Sequence, residues 1–147
     1  MRRILSCLGL VMMISISGHA AEKAAVQSAG DENPPTSLLQ EANGKAEAVI
    51  LANIQSIKMP RGGFAVTTVK IKKVYRGPLA AGATLTYFSF REEKAAYPKA
   101  WLDHGVIVFL VSKESAGKKQ WGESSEFFEF EYSPAIEKRI ISLMQKK

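Results

Sequence analysis

The stretch Phe64–Pro78, with the sequence FAVTTVKIKKVYRGP, constrains the fold of this chain more than any other segment. It is long and rich in β-branched residues, which favour strands because their side chains pack well on a pleated surface. It ends at Arg76–Pro78, which contains turn-forming residues. Two neighbouring segments have the composition to pair with it, Ala48–Lys58 before it and Thr84–Phe90 after it. The sequence therefore predicts a sheet in which this stretch is a central strand.

The apolar pattern of this strand changes phase along its length. Phe64 and Val66 share one face of the strand. Val69 and Ile71 share the other face, and Val74 returns to the first. A β-bulge or a sharp bend produces such a change, and small barrels need bends of this kind to close. The preceding strand begins with apolar residues on both faces, so we expect its start to be buried on both sides.

Two further segments predict a fourth and a fifth strand. Gly105–Ser112 is the most apolar segment after residue 20, and we expect it to lie fully inside. Residues 113–120 include a glycine and predict a loop. Glu126–Tyr132 alternates aromatic and acidic residues, which predicts an aromatic inner face and a solvated outer face. The residues expected inside are Phe128, Phe130 and Tyr132, and those expected in solvent are Glu129 and Glu131.

A helix is predicted at each end of the domain. A short helix over Leu38–Ala42 follows a capping residue, Thr36 or Ser37, and ends at Asn43-Gly44. Ser133-Pro134 suits the start of a second helix, because serine caps well and proline fits the first helical position. We expect this C-terminal helix to pack on a small five-stranded β-barrel, with its apolar side inward. Its apolar residues at helical spacing are Ile136, Ile140 and Leu143.

The first twenty residues have the pattern of a secretory signal. Two arginines begin it, Ile4–Ile16 is mostly apolar, and Gly18–Ala20 has small residues at the cleavage positions. The apolar run is shorter than the roughly 20 residues that span a bilayer. We therefore predict cleavage after Ala20 and a secreted or periplasmic protein without a stable membrane anchor. An uncleaved anchor or a buried helix is the alternative.

Cleavage would leave 127 of the 147 residues, and loss of the two arginines would lower the formal charge from +6 to +4. Residues 21–36 have no apolar period and are rich in Ala, Ser and acidic residues, which predicts a disordered tether. Residues 37–147 then form one domain, long enough to bury a core of its own. The only cysteine, Cys7, lies in the signal, so the mature protein would fold without an internal disulfide.

Five short strands, a variable segment after the third and a covering helix match the plan of an OB-fold. Three segments also resemble secreted OB-fold proteins of the netrin-module and tissue-inhibitor-of-metalloproteinase group. Ala48–Ile54 resembles the opening strand of that group, Val69–Gly77 its V-x-x-V-y-K-G strand end, and Gly105–Leu110 its G-x-x-Y-L-V-F strand. The resemblance covers about residues 46–111 and implies an OB-like barrel.

The resemblance carries no functional residue over to this chain. Members of the group often contain paired cysteines, which the predicted mature form lacks. The metalloproteinase inhibitors chelate the catalytic zinc through an N-terminal cysteine, whereas the predicted N-terminus here is Ala21. We therefore expect the fold of this group without its inhibitory mechanism.

Candidates for catalysis are few in this sequence. After cleavage the only histidine is His104, which follows Asp103. Zinc sites and catalytic triads need more partners than one His and one Asp, so a polar turn is the favoured interpretation. Glu92 and Glu93 are neighbours in sequence, whereas a glycosidase needs two carboxylates facing each other across the bond. The glycine motifs of nucleotide sites are also incomplete, and we expect no cofactor and no metal.

The most visible charge feature is a basic set on the central strand. Lys70 and Lys72 should share a face by the two-residue period, with Lys73 and Arg76 close by. The favoured interpretation is a solvated outer face that discourages edge pairing. The alternative is a weak anion-binding surface for envelope polymers or acidic proteins. OB-folds that bind single-stranded nucleic acid combine such charge with stacking aromatic residues. Export and the modest charge argue against nucleic acid as the partner. The aromatic residues available for stacking are Tyr75, Tyr87 and Trp101.

Three hypotheses about function follow. The favoured one is an exported, non-enzymatic binding domain that holds a protein or an envelope component on the barrel face or at residues 91–103. The second is a small hydrolase or isomerase that uses Asp103, His104 and one of the two adjacent glutamates. The third is an exported binder of an anionic polymer through the basic strand. The predicted binding residues are Lys70, Lys72, Lys73, Arg76, Trp101 and His104.

Overall fold

The computed structural model describes residues 34–59, 64–90, 99–124 and 128–146. The predicted signal, residues 21–33 of the predicted tether, the turn at 60–63 and the two adjacent glutamates at 92 and 93 lie outside these ranges. The elements, in chain order, are α1 (Thr36–Lys45), β1 (Ala48–Lys58), β2 (Phe64–Arg76), β3 (Thr84–Phe90), α2 (Lys99–His104), β4 (Val106–Ser115), β5 (Lys118–Glu123), β6 (Glu129–Glu131) and α3 (Pro134–Gln145).

Five of the strands close into a barrel in the order β1-β2-β3-β5-β4, and β4 pairs again with β1. The pairing of β3 with β5 is parallel, and the other pairings are antiparallel. The short strand β6 adds to β4 outside the barrel circuit. The predicted architecture, a mainly β, five-stranded OB-like barrel with a C-terminal helix packed on it, is confirmed.

Strand β2 lies between β1 and β3, as predicted, and it contains the expected irregularities. The register leaves Lys72 as an extra residue opposite the step from Leu51 to Ala52. Because of this bulge, Ile71 before it and Val74 after it both pack into the barrel interior. The phase change between Ile71 and Val74 therefore marks a true β-bulge, which bends the strand.

The earlier change, from Val66 to Val69, is not a bulge in β2, because that part of the strand pairs regularly with β3 and simply has apolar residues on both faces. Val74 does not return to the face of Phe64 and Val66.

Strands β1 and β4 are each buried over their first five residues. Their even and odd positions enter two different cores, one inside the barrel and one between the barrel and the helices α1 and α3. Both predictions of strands buried on two faces are confirmed. The inner core consists of Ala48, Ile50, Ala52, Val69, Ile71, Tyr87, Val106, Val108, Leu110 and Trp121. The outer core consists of Leu39, Ala42, Ala46, Val49, Leu51, Ile107, Phe109, Phe128, Phe130, Ile136 and Ile140.

The two terminal helices differ in how well the sequence predicts them. Helix α3 begins as expected, because the Ser133 hydroxyl accepts a 3.2 Å hydrogen bond from the Ile136 amide and Pro134 fills the first turn. Helix α1 is longer than predicted and runs through Asn43-Gly44 to Lys45. The predicted side-chain cap is wrong, since the residue that precedes α1 is Pro35 and no side chain caps the helix.

The fifth barrel strand is β5, whose first residues were predicted from the sequence to form a loop. Strands β4 and β5 form a hairpin in which Ser115 pairs with Lys118, so only Ala116 and Gly117 remain in the turn. Their φ angles of 51° and 72° are those of the tight turns that match the twist of a hairpin. Alanine seldom adopts a positive φ, so the composition of this segment does not predict a tight turn. The predicted loop over 113–120 is wrong for this reason.

In the described part of the segment 126–132, residues 128–132, the strand β6 has three residues, and the predicted orientation of the segment is wrong in part. The alternation is real, but Phe128 and Phe130 enter the outer core beneath the helices. The opposite face is also covered, so Glu129 is only 6% exposed and accepts a hydrogen bond from the buried Tyr87 hydroxyl. An alternating pattern separates two faces but does not require that the acidic face meet solvent.

Candidate binding face

The four basic residues predicted to share a surface on β2 have different positions and partners in the structure. Lys70 and Lys72 are exposed on β2. Lys73 instead donates a 2.7 Å hydrogen bond to Glu137 on α3. Arg76 reaches the end of α1. The four residues therefore do not form one binding surface.

Arg76 has a structural role. Its Nη2 donates to the carbonyl oxygens of Asn43 and Ala46, at 2.7 and 2.6 Å. These carbonyls lie at the C-terminal end of α1, where backbone acceptors lack helical partners and a cation is favourable. Burial lowers the pKa of the Arg76 guanidinium from its ordinary value. Arg76 thus fastens α1 to the barrel.

Lys73 belongs to a clamp that holds α3. The Glu137 carboxylate accepts from Lys73 Nζ at 2.7 Å, from Tyr75 Oη at 2.9 Å and from Tyr132 Oη at 3.0 Å. The hydrogen bond from Lys73 is the main cause that lowers the pKa of Glu137. Burial, followed by the bond to Glu137, raises the pKa of Tyr75, and the bond to Glu137 raises that of Tyr132. The clamp ties β2 and the segment after β6 to the first turn of α3.

The remaining predicted residues lie on α2, which packs against β1 and β6. Trp101 is partly buried against the inner core. Asp103 is exposed, and His104 Nδ1 lies 3.5 Å from Glu131 Oε1 with 62% of the His104 side chain exposed. Within the described ranges, no three His, Cys, Asp or Glu side chains lie close enough together to hold a metal ion. The structure does not bring Trp101 or His104 together with the exposed lysines of β2.

A different surface stands out on the outer face of β2 and β3. Phe64, Phe88 and Phe90 are 46%, 41% and 39% exposed, which is high for residues of this size. Phe64 pairs with Phe90, and Val66 pairs with Phe88, so all four side chains lie on one side of the sheet. The rings of Phe64 and Phe90 are 4.9 Å apart at an angle of 54°. We call Phe64, Val66, Phe88 and Phe90 the aromatic patch.

The inner face beneath the patch explains why these rings point outward. Ala65, Thr67, Tyr87 and Ser89 are fully buried there, and the hydroxyls of Thr67 and Ser89 lie 3.2 Å apart. The interior at this end of the barrel is therefore filled by small and polar side chains around one tyrosine. The phenylalanines occupy the alternate positions of these strands, so their side chains lie on the outer face of the barrel.

This patch was not among the residues predicted from the sequence to bind a partner, because most aromatic residues were expected in the core. A usable signal was present in β3, where Tyr87 and Ser89 alternate with Phe88 and Phe90. Phenylalanines lie on one face of this strand, and Tyr87 lies on the other, so both faces carry aromatic residues. The sequence does not show which face is covered.

Polar and basic residues border the patch. Lys58 on β1 lies directly opposite Val66. Along β2 and β3 the next pairs are Thr68 with Thr86, whose hydroxyls are 3.1 Å apart, and Lys70 with Thr84. We call Lys58 and Lys70 the basic flank. Among the described residues of β2 and β3, neither strand contains a carboxylate.

On the opposite side of the patch, Gly122 of β5 pairs with Phe88. A side chain at this position would start 4.0 Å from the Phe88 Cβ atom, in ordinary contact distance. Because glycine has no side chain, the Phe88 ring is left uncovered from that direction. The surface beside the patch on this side is therefore the backbone of β5 at Gly122.

A comparison of the chain with models of known protein families found no match, and a comparison with curated proteins also found none. Within the described residues, each helix is too short or too polar to cross a membrane. The case for a function therefore rests on the geometry of the barrel surface.

Proposed function

We propose that this protein is an exported, non-enzymatic domain that binds another protein through the aromatic patch. The observation that carries the proposal is the grouping of three exposed phenylalanines on one face of the barrel. Apolar residues that are exposed singly are ordinary, whereas the largest contiguous apolar patch on the surface of a protein is often functional. An apolar centre with a polar rim is the usual anatomy of a protein interface. Export is supported by the signal pattern of the first twenty residues.

The size of the patch limits the binding free energy that it can contribute. With about 200 Å² per phenylalanine and the exposed fractions above, the three rings present roughly 250 Å² to solvent. At about 25 cal/mol per Å², burying this area is worth about 6 kcal/mol. Association itself costs about 4–15 kcal/mol. The rings alone therefore support weak binding at most, and the bordering residues must contribute to a specific complex.

The arrangement of the rings favours a protein over a stacking ligand. Phe64 and Phe90 are inclined to each other and pack together, so they do not form one flat platform. Surfaces that bind single strands use aromatic faces on which successive bases stack. The inclined rings and Val66 suit a branched side chain of a partner protein better than they suit a flat base.

A second candidate is a binder of an anionic polymer, favoured by Lys58 and Lys70 on the same face as the patch. The proposed kinship with the netrin-module and metalloproteinase-inhibitor group rests on three short segments and on the OB-like barrel. It supplies no binding residue to either candidate.

The protein-binding proposal is tested by capture from envelope extract with the mature protein, residues 21–147, as bait. The variant Phe88→Thr removes a ring but keeps a β-branched residue that suits the strand. The matched control is Leu102→Gln on α2, where leucine is 48% exposed outside the patch and glutamine suits a helix. We expect the wild type and the control to retain the same proteins and Phe88→Thr to lose them. Identical capture by all three forms would contradict the proposal.

A further inference from the structure

We infer that the partner presents an acidic protein surface, in which an apolar side chain enters the aromatic patch and neighbouring carboxylates meet Lys58 and Lys70. The inference rests on the proposed function and names the chemistry of its partner. Three observations support it: the position of the basic flank, the absence of carboxylates in β2 and β3, and the poor fit of other occupants.

The two lysines border the patch residue Val66 in two different directions, one across the strands and one along β2. Lys58 is its cross-strand neighbour on β1, so the two side chains lie on the same side of the sheet. Lys70 lies four residues further along β2, which is about 13 Å at 3.3 Å per residue. Both lysines are exposed. A partner side chain in contact with Val66 and Phe88 would therefore lie near the ammonium groups of both lysines.

The charges of the basic flank are not compensated by the chain itself within the described residues. Lys45 and Lys73 each meet a carboxylate, Glu41 at 2.6 Å and Glu137 at 2.7 Å. Lys58 and Lys70 have no such neighbour in the same ranges. A partner with carboxylates would supply the charges that are missing on this face. Complementary charges raise the association rate and fix the orientation of the complex.

Two other occupants fit less well. In a twofold dimer the same face meets its own copy, so the lysines that border one patch would approach those of the other, and the described strands β2 and β3 supply no carboxylate to separate them. An anionic polymer would engage the lysines, but it would leave the apolar rings without an apolar partner. A protein segment that is both apolar and acidic matches both parts of the surface.

The test uses synthetic peptides with a central leucine or phenylalanine flanked by glutamates, and matched peptides with glutamines in their place. Affinities are measured by fluorescence anisotropy at low and high salt. We expect tighter binding of the glutamate peptides at low salt, with a difference that shrinks as salt rises. Lys58→Gln and Lys70→Gln should each weaken this binding about two- to fivefold. Phe88→Thr should weaken it about tenfold or more.

The matched control is Lys138→Gln, which removes an exposed lysine from α3 and should leave the affinity unchanged. Equal binding of the glutamate and glutamine peptides, lost in Phe88→Thr, would overturn the acidic partner and leave the protein-binding face intact. A sulfated polysaccharide or an oligothymidylate that binds wild type and Phe88→Thr equally, while no peptide binds, would overturn both. A dimer seen by sedimentation and lost in Phe88→Thr would identify a second copy as the occupant and also overturn the inference.

Discussion

At the scale of single residues, Gly77 shows how one position combines backbone conformation with close packing. Its φ of +102° lies in the region that L side chains rarely adopt. A Cβ atom there would lie 2.6 Å from the Ala48 Cβ and 2.9 Å from the Glu47 carbonyl oxygen. The turn that ends β2 therefore approaches the start of β1 as closely as a bare backbone allows. Arg76, one residue earlier, holds the end of α1 at the same place.

We predict that Gly77→Ala lowers the free energy of unfolding by about 3 kcal/mol, from the positive φ and from the overlap with Ala48. The control is Gly82→Ala, where φ is +82° but no atom lies within 4 Å of the added Cβ. This variant should lose only about 1–2 kcal/mol, since it carries the backbone cost alone. Urea unfolding of both variants measures the difference. Equal losses would show that the contact with Ala48 relaxes without cost.

At the scale of elements, α3 is held to the barrel by apolar contacts and by the clamp on Glu137. The folded state lowers the pKa of Glu137 from its ordinary value of 4.5. A lowered pKa stabilises the fold above the ordinary value, and this contribution is lost as pH falls below it. The raised pKa values of Tyr75 and Tyr132 act in the opposite direction. Their contribution is present below the ordinary value of 10.0 and is lost as pH rises above it.

We predict that Glu137→Gln lowers the free energy of unfolding at pH 7 by about 1–2 kcal/mol, because the variant removes a charged acceptor of three hydrogen bonds. The difference from wild type should shrink as pH falls below 4.5. The control is Glu41→Gln, which breaks the exposed pair with Lys45 and should cost at most about 1 kcal/mol. Urea unfolding at several pH values measures these differences. A pH-independent loss in Glu137→Gln would rule out the charge of Glu137 as the cause.

At the scale of the whole molecule, the barrel has an inner core and an outer core that share strands β1 and β4. Helices α1 and α3 cover the outer core, whereas the outer face of β2 and β3 carries the aromatic patch. One side of the barrel is thus covered by helices of the chain itself, whereas the described residues leave the aromatic patch exposed. The predicted mature protein has no cysteine to strengthen either core, so both depend on packing.

We predict that the exported protein begins at Ala21. Mass spectrometry of the protein recovered outside the cytoplasm should show a chain that lacks the first twenty residues and the only cysteine. A protein that retains residues 1–20 would contradict both the cleavage and the absence of cysteine from the mature form. The measurement is independent of the proposed binding face.

Much of the local structure could be predicted from the sequence alone. The strands β1 to β4 follow from runs of β-branched and apolar residues, the bulge in β2 from its change of phase, and the start of α3 from Ser133-Pro134. These features depend on neighbouring residues in the chain, because strand and cap preferences act over a few positions. The OB-like arrangement was also predicted, although the fifth barrel strand is β5 and not the predicted segment 126–132.

Three features depended on the tertiary structure. The turn at Ala116-Gly117 forms because the pairing of β4 with β5 holds an alanine at a positive φ. Glu129 is buried, and its carboxylate accepts a hydrogen bond from Tyr87, a residue distant in the chain. The phenylalanines of the aromatic patch are exposed because nothing in the described chain covers that face, although the same residues elsewhere would form a core. Alternation in a sequence shows which side chains share a face, but burial depends on what packs against that face, and distant parts of the chain decide it.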